Sequence, residues 1–182
     1  MSQGSGYYAT NSTVSMSAST NFGYSFNGWS GDCSGTGTCS VTMSQNRSVS
    51  TSFTGWYFSN APTSVNPASG DSYIYGNIAP SGSYSFAPYP GWPNTIYAGY
   101  CHVDGDGLPD IVLGVSAGGG PHVQILSVKG GGSICTRASY FADGTGAYTG
   151  GVQVVACHGN GCITVQFGNG SQSYQCPALS NC

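Results

Sequence analysis

Apolar and polar residues alternate along most of this chain. Val14/Met16/Ala18, Phe22/Tyr24/Phe26, Val41/Met43, Val123/Ile125 and Ile163/Val165/Phe167 each step over Ser, Thr, Gln, Asn or Gly. A period of two places every second side chain on one face of an extended strand, so these segments predict half-buried β-strands. Nowhere do apolar residues recur with helical spacing. The 30 glycines and 9 prolines interrupt the chain at short intervals, and no segment offers the roughly dozen unbroken residues a stable helix requires. The pattern predicts an all-β fold.

Residues 1–54 read as a first, small β module. Its run Phe22-Gly-Tyr-Ser-Phe26-Asn-Gly-Trp29-Ser-Gly-Asp32-Cys33 leads through a Gly/Thr loop to Cys39-Ser-Val41-Thr-Met43 and closes with Arg47-Ser-Val49 and Phe53. Trp29 and the alternating aromatics supply a core, and Cys33 and Cys39 are placed to staple the glycine-rich loop. These residues closely resemble the divergent B-repeat of bacterial surface proteins. The resemblance implies a β-rich spacer, often in tandem, used for extension from a cell or for lateral packing. Residues 55–72, with Asn60-Ala-Pro62 and Asn66-Pro67-Ala-Ser-Gly70, read as a linker.

Residues 73–182 contain an internal repeat. Cys101-His102 recurs as Cys157-His158, Phe86-Ala87 as Phe141-Ala142, and Gly114 after an apolar strand as Gly168. The first copy resembles the FG-GAP or VCBS repeat of β-propellers through Asp104-Gly-Asp106-Gly-Leu-Pro-Asp110-Ile111-Val112-Leu-Gly114 and the following Gly-Gly-Gly-Pro121-His122-Val123. The second carries Thr149-Gly-Gly151-Val-Gln-Val. Propellers need roughly four to eight blades, so two copies cannot close one. The expected forms are an incomplete propeller or a compact β-sandwich, stapled by disulfides, or several chains that together bury the open faces.

Three of the chain's acidic residues, Asp104, Asp106 and Asp110, share one short glycine-rich segment of a protein with six acids in all. Short carboxylates on alternate positions, with glycines that allow sharp turns, suit a hard cation that takes roughly six to eight oxygen ligands, with Ca2+ first. The propeller-repeat resemblance implies the ligand set His102, Asp104, Asp106, the carbonyl of Leu108, and Asp110. His102 stands where that family has a carboxylate, which lowers affinity for calcium or admits a softer divalent metal. The alternative is a turn whose carboxylates cap backbone amides without metal. The second copy, His158-Gly-Asn160-Gly-Cys162, has no carboxylate. A Cys157–Cys162 disulfide is expected to order it in place of an ion.

Only 5% of residues are charged, the net charge is −3, and the three basic residues are Arg47, Lys129 and Arg137. A surface this poor in cations offers no footprint for nucleic acid or anionic lipid. No apolar run reaches the ~18 residues of a membrane helix, and membrane insertion is not expected. Eight cysteines, at 33, 39, 101, 135, 157, 162, 176 and 182, point to disulfides and an extracellular or cell-surface location. Sequence proximity suggests 33/39, 157/162 and 176/182, leaving Cys101 for Cys135. The opening Met1-Ser-Gln-Gly-Ser has no signal-peptide core, so an export signal is expected to have been removed or to lie on a longer precursor.

Nothing points to catalysis. There is no Gly-x-Ser-x-Gly elbow, carboxylates outside the loop are confined to Asp32, Asp71 and Asp143, and His102, His122 and His158 would have to converge to form a site. Tyr84, Phe86, Tyr89, Trp92, Tyr97 and Tyr100 crowd ahead of the loop. Core packing is their default role, while Tyr89, Trp92 and Tyr97 are candidates for a subunit interface or a glycan-stacking surface. The leading expectation is a non-enzymatic bacterial surface protein that binds copies of itself in a filament, with O-linked glycans on its many Ser and Thr residues. An adhesin or carbohydrate-binding module is the alternative, and a pilus head with a separate helical partner the third.

Overall fold

The computed structural model describes residues 6–67, 70–180 and 182. The opening 1–5, and Ala68 and Ser69 of the expected linker, lie outside the described residues. Fifteen strands and no helix are found among the described residues. In the first unit, β1 (Thr13–Met16) pairs with β3 (Cys39–Thr42), and β2 (Tyr24–Gly31) pairs with β4 (Val49–Gly55), all antiparallel. Their inward positions put Val14, Trp29, Cys39 and Val41 in one small core, against which Met16, Phe26 and Cys33 pack. Trp29 Nε1 donates to Gly37 O at 2.7 Å, and the Arg47–Asp32 pair at 2.9 Å fixes the far end of β2 to the start of β4. Cys33 is bonded to Cys39.

The rest of the chain builds three sheets in sequence. The first joins β5 (Tyr57–Phe58), β7 (Tyr73–Ala79) and β6 (Thr63–Val65), with β8 (Ser83–Phe86) added on β7. The second is an antiparallel meander of β9 (Ile96–Cys101), β10 (Asp110–Val115), β11 (His122–Val128) and β12 (Ile134–Phe141). The third is a shorter meander of β13 (Val152–Cys157), β14 (Ile163–Phe167) and β15 (Gln172–Gln175). In the four-stranded meander each strand lies beside its neighbours in sequence. The sheets do not close into a ring.

The middle sheet is covered on both faces, which explains the unbroken burial of β10. Ile111, Leu113, Val115, Leu126 and Val128 face Phe58, Ile74, Ile78 and Tyr84 of the first sheet. Val112, Val123 and Ile125 face Val152, Ile163 and Val165 of the third. Gly114 permits this second contact: a Cβ there would run into the backbone carbonyl of Val152 on β13.

Two expectations are corrected. The 55–72 segment is not a linker: it supplies β5 and β6, and Phe58 is fully buried in the core of the first sheet. The Pro and Ser residues around Phe58 conceal its burial in the composition. Among the cysteines, 101/135, 157/162 and 176/182 do not pair. The bonds are Cys101–Cys157, Cys135–Cys182 and Cys162–Cys176. Cys101 ends β9 and Cys157 ends β13, so the repeat-equivalent cysteines meet where the two meanders cross.

Candidate functional site

The acidic loop between β9 and β10 organises itself through its own backbone. Asp104 Oδ1 accepts from the Asp106 N–H at 3.2 Å, and Asp106 Oδ1 accepts from the Leu108 N–H at 2.7 Å, two successive Asx turns. Gly105 and Gly107 take φ of +75° and +81°, which these turns require and other residues resist. Asp110, only 2% exposed, accepts from the Val103 N–H at 2.8 Å through Oδ2 and from Ser127 Oγ through Oδ1. Burial raises its pKa above the ordinary carboxylate value even though both hydrogen bonds oppose the rise. Asp106 is pushed up to about 6, chiefly by burial, with the neighbouring Asp104 and Asp110 carboxyls adding to it.

The remaining oxygen of Asp104 meets a cation of the protein's own. Arg137 Nη1 lies 2.8 Å from Asp104 Oδ2, with the two side chains only 7% and 13% exposed. Both oxygens of Asp104 and of Asp110, and one of Asp106, are therefore engaged by protein donors. His102 is exposed. Among the described residues, no group of three or more His, Cys, Asp or Glu side chains is arranged to hold a metal. The set expected for Ca2+, namely His102, Asp104, Asp106, the carbonyl of Leu108 and Asp110, does not fit the ion: the carboxylates close turns and meet a guanidinium instead.

Arg137 was visible in the sequence only as one of three basic residues. Its position depends on a β-bulge. Leu126 pairs with Thr136 and Ile125 with Ala138, so Arg137 is the extra residue of β12. Bulges re-aim a side chain, and this one brings Arg137 under the loop. Its Nε also donates to the Ser180 carbonyl, and its guanidinium carbon lies 4.2 Å from the ring centroid of Phe22 in the first unit. Leu108, at the loop's tip, packs beside Gly23 and Gly55 of that unit. No local pattern announces such a contact.

The histidines go separate ways. His122 Nε2 is 2.8 Å from Ser139 Oγ and its ring lies between Tyr89 and Phe141, where burial lowers its pKa and favours the neutral form. His158 Nε2 is 2.9 Å from Thr164 Oγ1 and its ring packs on Tyr174.

The aromatics divide as well. Tyr84 and Tyr89 are buried, and Tyr89 donates to the carbonyls of Leu113 at 3.3 Å and His122 at 3.4 Å. Tyr89 and Trp92 line a cleft of about 360 Å³ with His122, Gln124 and Phe141. Gly119 makes room for Trp92: a Cβ there would stand 2.7 Å from the indole. Tyr97, 38% exposed, lines other clefts beside Val152 and Gln153 rather than this one.

Among the described residues, strands at the sheet edges have one side free of a strand partner, β4 and β15 among them. β4 pairs only with β2, and β15 only with β14. Neither carries a charged residue.

Fold and surface together describe an all-β protein, held by four disulfides, with a hydroxyl-rich exterior and no helix long and apolar enough to cross a membrane among its described residues. Residues 1–56 match the family described as Divergent InlB B-repeat domain, less than a third of the chain. This match supports the resemblance of the first unit to repeats of bacterial surface proteins, and it and the disulfides fit an extracellular or cell-surface setting. No curated protein and no solved structure matches the chain. The likeness of the second unit to FG-GAP or VCBS repeats rests on its own residues alone.

Proposed function

We propose that this protein is a non-enzymatic structural subunit that associates with copies of itself into an extracellular filament or fibre. The observation that carries this reading is the presence of open edge strands without a charged residue, β4 and β15 among them. Proteins that remain apart blunt such edges with Lys, Pro or bulges, because unpaired backbone N–H and C=O groups recruit another strand. With only 5% charged residues, little repulsion opposes contact between copies. O-linked glycans on the abundant Ser and Thr residues would keep the remaining surface soluble. The calcium expected at the acidic loop is not part of this reading, since the donor set there does not fit it.

Negative-stain microscopy of purified protein is the test, with filaments or ordered oligomers as the expected result. The double variant Gln172→Lys/Tyr174→Lys places two cations on β15 and should reduce assembly while leaving the melting temperature nearly unchanged. A monodisperse monomer at high concentration would sink the proposal.

The cleft supports a second reading, a carbohydrate-binding module. Trp92 and Phe141 offer aromatic faces beside His122 and Gln124, a combination suited to stacking on a sugar ring. Binding on a glycan array that Trp92→Ala abolishes would favour it over self-assembly.

A further inference from the structure

We infer that Arg137 is the resident cation of the acidic loop, so that this β-turn is a metal-independent latch joining the first unit, the loop and the C-terminal segment. Three separate contacts converge on the one guanidinium. Asp104 Oδ2 takes Nη1 at 2.8 Å, the Ser180 carbonyl takes Nε, and the Phe22 ring receives the planar cation at 4.2 Å. Ser180 reinforces the arrangement, its N–H donating to the Arg137 carbonyl at 2.8 Å and its Oγ to that of Thr136 at 3.3 Å.

The chemistry favours arginine over an ion here. A hard divalent cation needs several oxygens with free lone pairs directed at one point. A guanidinium needs flat, forked acceptors and an apolar or aromatic surface for its face. The loop offers Asp104 Oδ2, the adjoining tail offers a carbonyl, and the first unit offers a ring. The β12 bulge fixes the donor in place, so the latch needs nothing from solution.

This role is distinguishable from a generic packing role by coupling. Arg137→Met leaves Asp104 buried with an unpaired charge and should lower the melting temperature by roughly 10 °C. Adding Asp104→Asn to that variant removes the stranded charge and should recover part of the loss. The wild-type melting temperature should be the same in EGTA and in about 10 mM CaCl2, above the range in which weak extracellular calcium modules bind.

Several degrees of calcium-dependent stabilisation in the wild-type protein would overturn the inference. So would additive losses from Asp104→Asn and Arg137→Met, since independent sites do not form a latch. If Arg137→Met fails to fold, the calcium comparison on the wild-type protein still decides between guanidinium and metal.

Discussion

Replacing Cys101 and Cys157 together by alanine removes the covalent pin between β9 and β13, the strands where the two meanders cross. The two cysteines are 56 residues apart in sequence, while their Cα atoms are 5.9 Å apart in the fold. Closing a loop of that length restricts the unfolded chain enough to contribute about 4 kcal/mol. The 6-residue separation of Cys33 and Cys39 gives only about 2 kcal/mol by the same relation. The Cys101→Ala/Cys157→Ala variant should therefore lose more stability than Cys33→Ala/Cys39→Ala, and its second unit should melt roughly 10 °C lower than the parent. Urea and thermal unfolding of both variants would measure this, beside peptide mapping of the oxidised parent. A loss below about 1 kcal/mol would refute the reasoning on loop entropy. Recovery of a Cys157–Cys162 peptide would refute the pairing itself.

Two other substitutions test the packing and the electrostatics. Gly114→Ala should cost roughly 2 kcal/mol in urea unfolding, because its methyl has to displace the Val152 carbonyl, whereas Gly37→Ala, with open space around it, should be nearly neutral. Asp106→Asn bears on pH. The folded-state pKa of Asp106 is raised to about 6, so its contribution to stability is full below the unfolded value near 4 and is lost as pH rises through 6. The asparagine variant should thus be more stable than the parent at pH 8, by about 1 kcal/mol after discounting solvent screening. The difference should shrink toward pH 4, and stability curves parallel across that range would contradict the assignment.

Much of the strand content is legible in the sequence because a period of two is a local property. Val123/Ile125 and Ile163/Val165 alternate, and their buried sides are the ones the pattern marks. The layering is not local. Ile111, Val112 and Leu113 read as an apolar run, but only the neighbouring sheets decide which residue faces which core. The cysteines mislead for the same reason, since nearness along the chain says little once two repeats lie across each other. In the acidic loop the turn chemistry was readable from Asp and Gly spacing, while its cation was not. Arg137 arrives from another strand through a bulge that no pattern in residues 134–141 reveals.

Cys135 and Cys182 tie an edge strand of the middle sheet to the chain's far segment, 47 residues on. Suppose the protein is pulled between its first unit and Cys182, as a fibre subunit is when the fibre is stretched. Tension that reaches Cys101 then crosses to Cys157 and, a few residues on, from Cys162 to Cys176, so residues 102–156 and 163–175 carry none. Unravelled, the first of these stretches alone would span roughly 180 Å. While the bonds are oxidised, this length is withheld from extension, and the strands from β10 to β12 stay folded beside a backbone that yields upstream of Cys101. A reducing agent would make such a fibre more extensible without altering a single residue.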